Sequence, residues 1–444
     1  MKKVNKDLIC LGLTVYAGAA SMLGAVPDSI GQPWDFNRCL EYAYENNISL
    51  QQKQLDKASS DATLLASKAM WQPTLDFSTT QGLTNYPSPA DNSDHNIYAG
   101  TYGLNASWIV FNGNIRRNQI KQDELQQQIA ELGIDDYHYT LQTEILAKYL
   151  NILYAKESIE IAKQNLAVSE YQKERAEALM NSGKMSRVDY SQIESQYHTD
   201  RYSLTSAESS FATAKMELKK LLELDITTDF DIVYPDFKDE EVLAPLPEKV
   251  EVFHTACSWV PALKQYQLSS QASDYSEKIA KGGYYPQLSL NASVGSANSS
   301  AGYGNFGTQF RNNFNEQIAL TLSIPLLDNR KNKTAVTQAK IEKLNAELEI
   351  ESATNTLSQT IESIYIDATN AQAQFESCSQ QVKSARLTDE LVNEQFRLGL
   401  INTLDLISSH NTLLNALQEQ LQAKYMAILN IRLLEFYQTS QITL

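Results

Sequence analysis

Residues 178–190 read ALMNSGKMSRVDY and residues 394–406 read EQFRLGLINTLDL. Gly183 and Gly399, Val188 and Leu404, and Asp189 and Asp405 fall at one constant offset. The offset persists far from the motif: Phe111-Asn112-Gly113-Asn114 answers Leu327-Asp328-Asn329-Arg330, Leu141 answers Leu357, and Tyr149 answers Tyr365. Pro73 and Pro286 match at a slightly smaller offset, as a short insertion between them requires. The chain is therefore two tandem copies of about 200 residues each. The expected divisions are repeat 1 over residues 26–224, a joining segment over 225–250 rich in Asp, Glu and Pro, and repeat 2 over 251–444.

Lys2, Lys3 and Lys6 precede an apolar run from Leu8 to Ala20, so residues 1–25 read as a cleaved export signal. Cys10 lacks the small residues ahead of it that lipid attachment needs. The full chain carries a net charge of −16, and loss of three lysines and Asp7 leaves about −18, a balance unsuited to neutralising nucleic-acid phosphates. Cys39, Cys257 and Cys378 have no metal-ligand spacing and read as small buried residues. After the signal no run of 18 apolar residues occurs, which excludes a membrane-spanning helix but leaves a barrel open.

Between Asn112 and Asn181 there is no proline, so the segment is predicted as one helix of about 70 residues, ~105 Å long at 1.5 Å per residue. Leu125, Leu132, Tyr139, Leu146 and Leu153 form one heptad row, and Ile145, Ile152, Ile159 and Leu166 a second beside it, which implies two neighbouring helices. Copy two repeats this less regularly, with Ile341, Leu344 and Leu348 early and Leu414, Leu417, Leu421 and Ile428 late. Strands are predicted over 74–111 and 287–327 from strict alternation, with Leu288, Leu290, Ala292 and Val294 on one face and Gln287, Ser289, Asn291 and Ser293 on the other. Ile318, Leu320, Leu322, Ile324 and Leu326 alternate in the same way, as do Tyr102, Leu104, Ala106, Trp108 and Val110. Polar loops at 87–96 and 301–313 join each pair, and Tyr86, Tyr98, Trp108, Phe306, Phe310 and Phe314 suit an outer-membrane wall. Four strands cannot close, since about eight make the smallest practical barrel. The chain is expected to share a barrel with copies of itself, eight strands from two or twelve from three; the alternative, a soluble sheet with one face buried, needs a covering helix face, and the long helices already commit their apolar rows to each other.

No catalytic constellation stands out, and the chain is not expected to be an enzyme or to hold a cofactor or metal. His95, His138, His198, His254 and His410 are scattered, without a ligand pair. Gly302-Tyr303-Gly304-Asn305-Phe306-Gly307 fits a dinucleotide-type glycine pattern, but it lies between two strands with no helix expected after it, so the phosphate-cradling context is missing. At the repeated motif each glycine breaks a long helix, with tips near 181–187 and 397–403, and Ser186 and Thr403 offer N-caps for the returning helices. A plain helical hairpin explains this; in a trimer, Asp405 would also form an acidic ring that selects cations.

The export signal, the tandem copies, the paired strands followed by Phe111-Asn112-Gly113 and by Pro325-Leu326-Leu327-Asp328-Asn329, and the glycine-to-aspartate tips together resemble the TolC family of outer-membrane efflux proteins over residues 34–440. The resemblance implies an α+β membrane protein: a homotrimer whose long antiparallel helical hairpins form an α-barrel in the periplasm, below a shared twelve-stranded β-barrel in outer-membrane lipid. It implies an exit duct of a tripartite efflux system, docked on a periplasmic adaptor and fed by an inner-membrane pump of the RND or ABC type. Alternatives are the duct of a type I protein-secretion system and, from another class, a structural trimeric coiled-coil surface protein.

By the same resemblance Asp405 matches an acid of the periplasmic constriction, with Ser408 where a second acid is usual. Asp189 matches the family's gate acid, whose tyrosine and arginine partners are here Phe396 and Ile401, so that the gate is expected either to be locked differently, through Arg187 or Arg397, or to be less tightly closed. Ser182, Gly183 and Lys184, and Leu398, Gly399 and Leu400, match the adaptor-docking turns, and residues 225–250 resemble the family's girdle around the helices.

Overall fold

A computed structural model describes residues 33–87, 95–442 and 444 of the chain. The predicted export signal and most of the first interstrand loop lie outside the described residues. The chain runs through helices Phe36–Asn46 (α1) and Ile48–Ala69 (α2), strands Thr74–Asn85 (β1) and Asn96–Asn112 (β2), and helices Ile115–Asn181 (α3) and Arg187–Leu221 (α4). A short turn of helix, Asp239–Val242 (α5), lies in the joining segment. Copy two follows as Lys249–Trp259 (α6), Pro261–Gly282 (α7), Gln287–Ser299 (β3), Phe306–Asn312 (α8), Asn315–Ser323 (β4), Lys331–Arg397 (α9) and Thr403–Thr439 (α10).

The two long helices α3 and α9 each have 67 residues, ~100 Å of rise. Each returns as a shorter antiparallel partner, α4 or α10, while α2 and α7 pack on the remaining upper lengths of α3 and α9. The heptad rows are buried most fully in mid-helix, at Ile145, Leu146, Ile152, Leu153 and Ile159, whereas Leu125, Leu132 and Leu166 are half-buried. Ile341, Leu344 and Leu348, expected to form a seam, are exposed in the protomer, and the small Ala339 and Ala346 are buried instead, which lets the backbones of neighbouring helices approach closely.

The joining segment closes onto the mid-helix core. Trp34 pairs with Ile232 as a parallel bridge, Tyr149 donates to the Val233 carbonyl at 2.6 Å, and Phe230, Ile232, Phe237 and Val242 are buried beside Leu141, Ile145 and Ile152. From the opposite copy, the Gln372 amide donates to the carbonyls of Val242 (3.0 Å) and Ala244 (2.7 Å). Cys39 is fully buried, which pushes its thiol up to about 12, and Cys378 is buried too; Cys257 departs from expectation in being only half-buried.

The strands form one antiparallel sheet in the order β1-β2-β3-β4, so both copies contribute to a single wall. Directly paired residues share a face. Leu75 with Ala106, Phe77 with Leu104, Leu104 with Val294, Ala292 with Ile318, Leu290 with Leu320 and Leu288 with Leu322 make one face of the whole sheet apolar. The other face carries Asp76, Ser78, Asn105, Ser107, Ser289, Asn291, Gln317 and Thr321.

Three details differ from the sequence expectation. A bulge between Ile109 and Phe111 leaves Val110 without a partner and sets Phe111, not Val110, opposite Leu288. Strand β4 ends at Ser323, short of Leu326, because Pro325 has no N–H for a ladder. The second interstrand loop, expected as polar coil, contains α8, so a helix does follow the glycine pattern of residues 302–307. It still offers no phosphate cradle: the Asn305 side chain caps α8 by accepting from Thr308 N at 2.9 Å, and Gln309 fills the turn.

Where wall meets helices, Arg116 is 4% exposed and acts as a clamp. Its guanidinium donates to the carbonyls of Met70 (3.0 Å) and Ile109 (2.8 Å) and lies 3.5 Å from the Trp71 ring centroid. Among the described residues no helix is long and apolar enough to cross a membrane.

Candidate functional site

The hairpin tips are two copies of one backbone device. Helix α3 ends with Gly183 at φ +73°, Lys184 N donating to Leu179 O at 2.9 Å and Gly183 N to Met180 O at 2.9 Å. Helix α9 ends with Gly399 at φ +72°, Leu400 N donating to Gln395 O at 2.9 Å and Gly399 N to Phe396 O at 3.1 Å. This is the Schellman arrangement, which uses a left-handed glycine to satisfy the last carbonyls of a helix. A Cβ on either glycine would meet nothing within 4 Å, so the backbone angle alone requires glycine there.

The returning helices are capped differently. Ser186 Oγ accepts from Asp189 N at 3.1 Å and donates to Asp189 Oδ2 at 2.6 Å, as the sequence led us to expect. In copy two the cap is Asn402, whose Oδ1 accepts from Asp405 N at 2.9 Å; Thr403 is the first helical residue instead. That frees the Thr403 hydroxyl, which is buried and donates across the hairpins to Asp189 Oδ1 at 3.2 Å. Asp189 is therefore held by Ser186 and Thr403 in the protomer, and not by either expected arginine. Arg397 pairs with Glu394 at 2.7 Å, and Arg187 is exposed without an ion pair among the described residues.

Further links run up the hairpins. Gln196 of α4 and Asn411 of α10 exchange amide hydrogen bonds at 3.2 and 3.4 Å, and Gln172 of α3 donates to Asn393 of α9 at 3.2 Å. The two tips thus stand side by side with matched depth, while their surfaces differ in character. Ser182 and Lys184 make the first turn polar, whereas Leu398 and Leu400 are 62% and 70% exposed at the second, where Phe396 is half-buried. Asp405 and Ser408 sit one turn apart on an exposed stripe of α10 that edges a groove with Ser384 and Thr388 of α9.

Sequence reasoning missed a buried pair behind this stripe. His410, 6% exposed, sets Nδ1 3.8 Å from Asp389 Oδ1, and neither ring nitrogen has a hydrogen-bond partner among the described residues. Asn393 donates to the other oxygen, Asp389 Oδ2, at 3.0 Å. The available signal was symmetry about the tip: residues nearly equidistant from Gly399 along an antiparallel hairpin face one another.

Comparison with known proteins places both copies in one family. The family model described as Outer membrane efflux protein matches residues 39–223 and 254–433, both copies. The chain is 22% identical to Outer membrane protein TolC of Escherichia coli (strain K12) over 445 residues, covering 97% of this chain and 85% of TolC. It is 22% identical to the Alkaline protease secretion protein AprF of Pseudomonas aeruginosa over 327 residues, 70% of this chain and 64% of AprF. In fold it is similar to the outer membrane protein VceC of Vibrio cholerae, with TM-score 0.74 and 16% identity over 91% of this chain and 95% of that one.

Proposed function

The chain belongs to the outer membrane efflux protein family, and from that premise we propose that it is the exit duct of a tripartite system that expels small molecules across the outer membrane. The observation that supports this reading most directly is the open four-stranded sheet set on two equal helical hairpins. The outer edges of β1 and β4 are unpaired among the described residues, and an unpaired edge is costly in lipid, where backbone groups find no water. Three copies supply twelve strands, enough for a closed wall with a lumen, and the apolar sheet face then meets lipid while the polar face lines the channel. The row Ile341, Leu344 and Leu348, exposed in the protomer, would be covered by a neighbouring copy in the same assembly.

In this trimer the tips form the periplasmic entrance. Asp405 repeats three times around the axis, and Ser408 adds a polar but uncharged ring one turn above. The Asp189–Thr403 bond ties α4 to α10 within each protomer and stands where a gate lock is needed; Arg187 lies two residues before Asp189, and Phe396 and Arg397 end α9 just ahead of Thr403 in sequence. The turns at Ser182-Gly183-Lys184 and Leu398-Gly399-Leu400 are the docking surface for a periplasmic adaptor, which connects to an inner-membrane pump of the RND or ABC type.

The second reading, a duct for type I protein secretion, is favoured by the similarity to AprF. A structural coiled-coil surface protein is disfavoured, because strands of both copies join one sheet instead of gathering at one end of the chain. Planar-bilayer recording of the purified protein, combined with drug accumulation and secreted-protein profiles of a deletion strain, tests the proposal. Discrete conductance with raised drug accumulation is the expected result. Lost secretion of one protein with unchanged drug accumulation would favour the second reading, and absence of any conductance would overturn both.

A further inference from the structure

The loop between β3 and β4 carries Tyr303, Phe306, Phe310 and Phe314, an unusual concentration of rings for a segment at the water end of a wall. Its structure is built rather than loose. The Gln309 side chain is buried, accepts from Ser299 N at 2.7 Å and donates to the carbonyls of Gly302 (3.2 Å) and Gly304 (3.0 Å). Ser296 Oγ donates to Phe310 O at 2.5 Å, and Asn313 donates to Ala297 O at 2.7 Å. These bonds fold α8 back over the sheet.

The face it lies on is decided by strand register. Tyr102 pairs with Ser296, two positions beyond the Leu104–Val294 pair, so both belong to the apolar face. Above Val294 the β3 side chains on that face turn polar, at Ser296 and Asn298. Helix α8 covers this interruption: the rings of Phe310 and Phe306 pack edge-on against Tyr102, with centroids 5.6 and 6.1 Å away. The aromatic surface stays open outward, with Tyr303 fully exposed and Phe306 and Phe314 about half exposed. Because α8 sits over β2 and β3, the middle strands, it is away from the β1 and β4 edges where neighbouring copies would join.

We propose that α8 is an interfacial helix seated in the outer leaflet of the outer membrane, with Phe306 and Phe310 of the helix and Phe314 just beyond it at the acyl-chain boundary, and Arg311, exposed in the last turn, against lipid phosphate. The occupant follows from continuity: the helix extends the apolar sheet face upward, and apolar Phe rings beside the amphipathic ring of Tyr303 and a flanking cation are the chemistry that settles at that depth. The inference rests on the reading of this face as the lipid-facing wall. Anchored there, the helix fixes how high the barrel stands in the bilayer.

Nitroxide labels at Phe306→Cys and Phe310→Cys test this in the full-length protein with Cys257→Ser, since Cys39 and Cys378 are buried. Ile318→Cys on the apolar face and Gln317→Cys on the polar face serve as controls in vesicles of phosphatidylethanolamine and phosphatidylglycerol. Collision with oxygen several-fold above collision with a water-soluble nickel chelate at 306 and 310, as at 318, is expected. Nickel collision exceeding oxygen at 306 and 310 while 318 remains lipid-exposed would overturn the anchor alone. Low collision with both reagents would mean a protein contact and also overturn it, whereas nickel access at 318 would overturn the wall reading itself. Adding Arg311→Glu should shift the label at 310 several-fold toward the nickel reagent; an unchanged ratio refutes the phosphate contact.

Discussion

Replacing Gly399 by valine is expected to separate folding from the docking proposed for the tip. At φ +72° an L-residue pays roughly 1–2 kcal/mol relative to glycine, and a β-branched one stands at the upper end of a range of about 1–3 kcal/mol for local strain. No clash adds to this, since a Cβ there meets no atom within 4 Å. The penalty therefore falls on the turn and the two hydrogen bonds that close it, Leu400 N to Gln395 O and Gly399 N to Phe396 O. At 1.4 kcal/mol per factor of ten, 1–3 kcal/mol lowers the population of the native turn by about 5- to 150-fold. The 67-residue α9 and its packing against α10 lie outside the perturbed turn.

Gly399→Val is therefore expected in the outer membrane at normal abundance as a heat-modifiable trimer, yet unable to support export, because Leu398 and Leu400 no longer present the same surface. Gly399→Asn, whose side chain tolerates the left-handed region, should retain most export. The assay is outer-membrane abundance and gel mobility beside substrate accumulation in intact cells. Normal export by the valine variant would refute docking at the tip, and failure to assemble would show that the glycine is needed for folding.

Asp405→Ala should weaken block of the channel by multivalent cations added from the periplasmic side, and identical block and selectivity would remove Asp405 from the constriction. Thr403→Val deletes the hydroxyl that donates to Asp189; with the carboxylate half exposed, the loss is about 1 kcal/mol, enough to raise the open fraction several-fold in bilayer recordings. Wild-type gating in that variant would count against the bond as a lock. In detergent the folded protein should be a trimer without a stable folded monomer, and a monodisperse monomer by light scattering would defeat the shared-barrel reasoning.

The periodic features were legible because each repeats enough times to exclude its competitor. Seven-residue spacing over α3 and two-residue alternation in β3 allow one backbone each, and the tip glycines interrupt helices that nothing else breaks. What escaped was decided by single contacts. The bulge at Val110 depends on fitting β2 to β3, and α8 forms because Gln309, deep in a loop, finds three backbone partners. Ahead of Asp405, Asn402 and Thr403 are both good caps by type; Asn402 caps, and the threonine hydroxyl is left to reach Asp189. His410 looked unremarkable because its partner Asp389 is remote in sequence and becomes its neighbour only when the hairpin closes.

The equal length of α3 and α9 limits how such a chain can change over generations. Each starts after a left-handed pair, Gly113-Asn114 or Asn329-Arg330, and each stops at its tip glycine after 67 helical residues. One inserted residue in a single copy would advance that tip by ~1.5 Å and rotate it by ~100°, pulling Gln196 from Asn411 and Thr403 from Asp189. Seven inserted residues advance it by ~10.5 Å but misorient it by only ~20°. Lineages that lengthen or shorten these hairpins should therefore do so by whole heptads, compensated in the returning helix and matched in the sister copy, with single-residue indels confined to the joining segment and the interstrand loops.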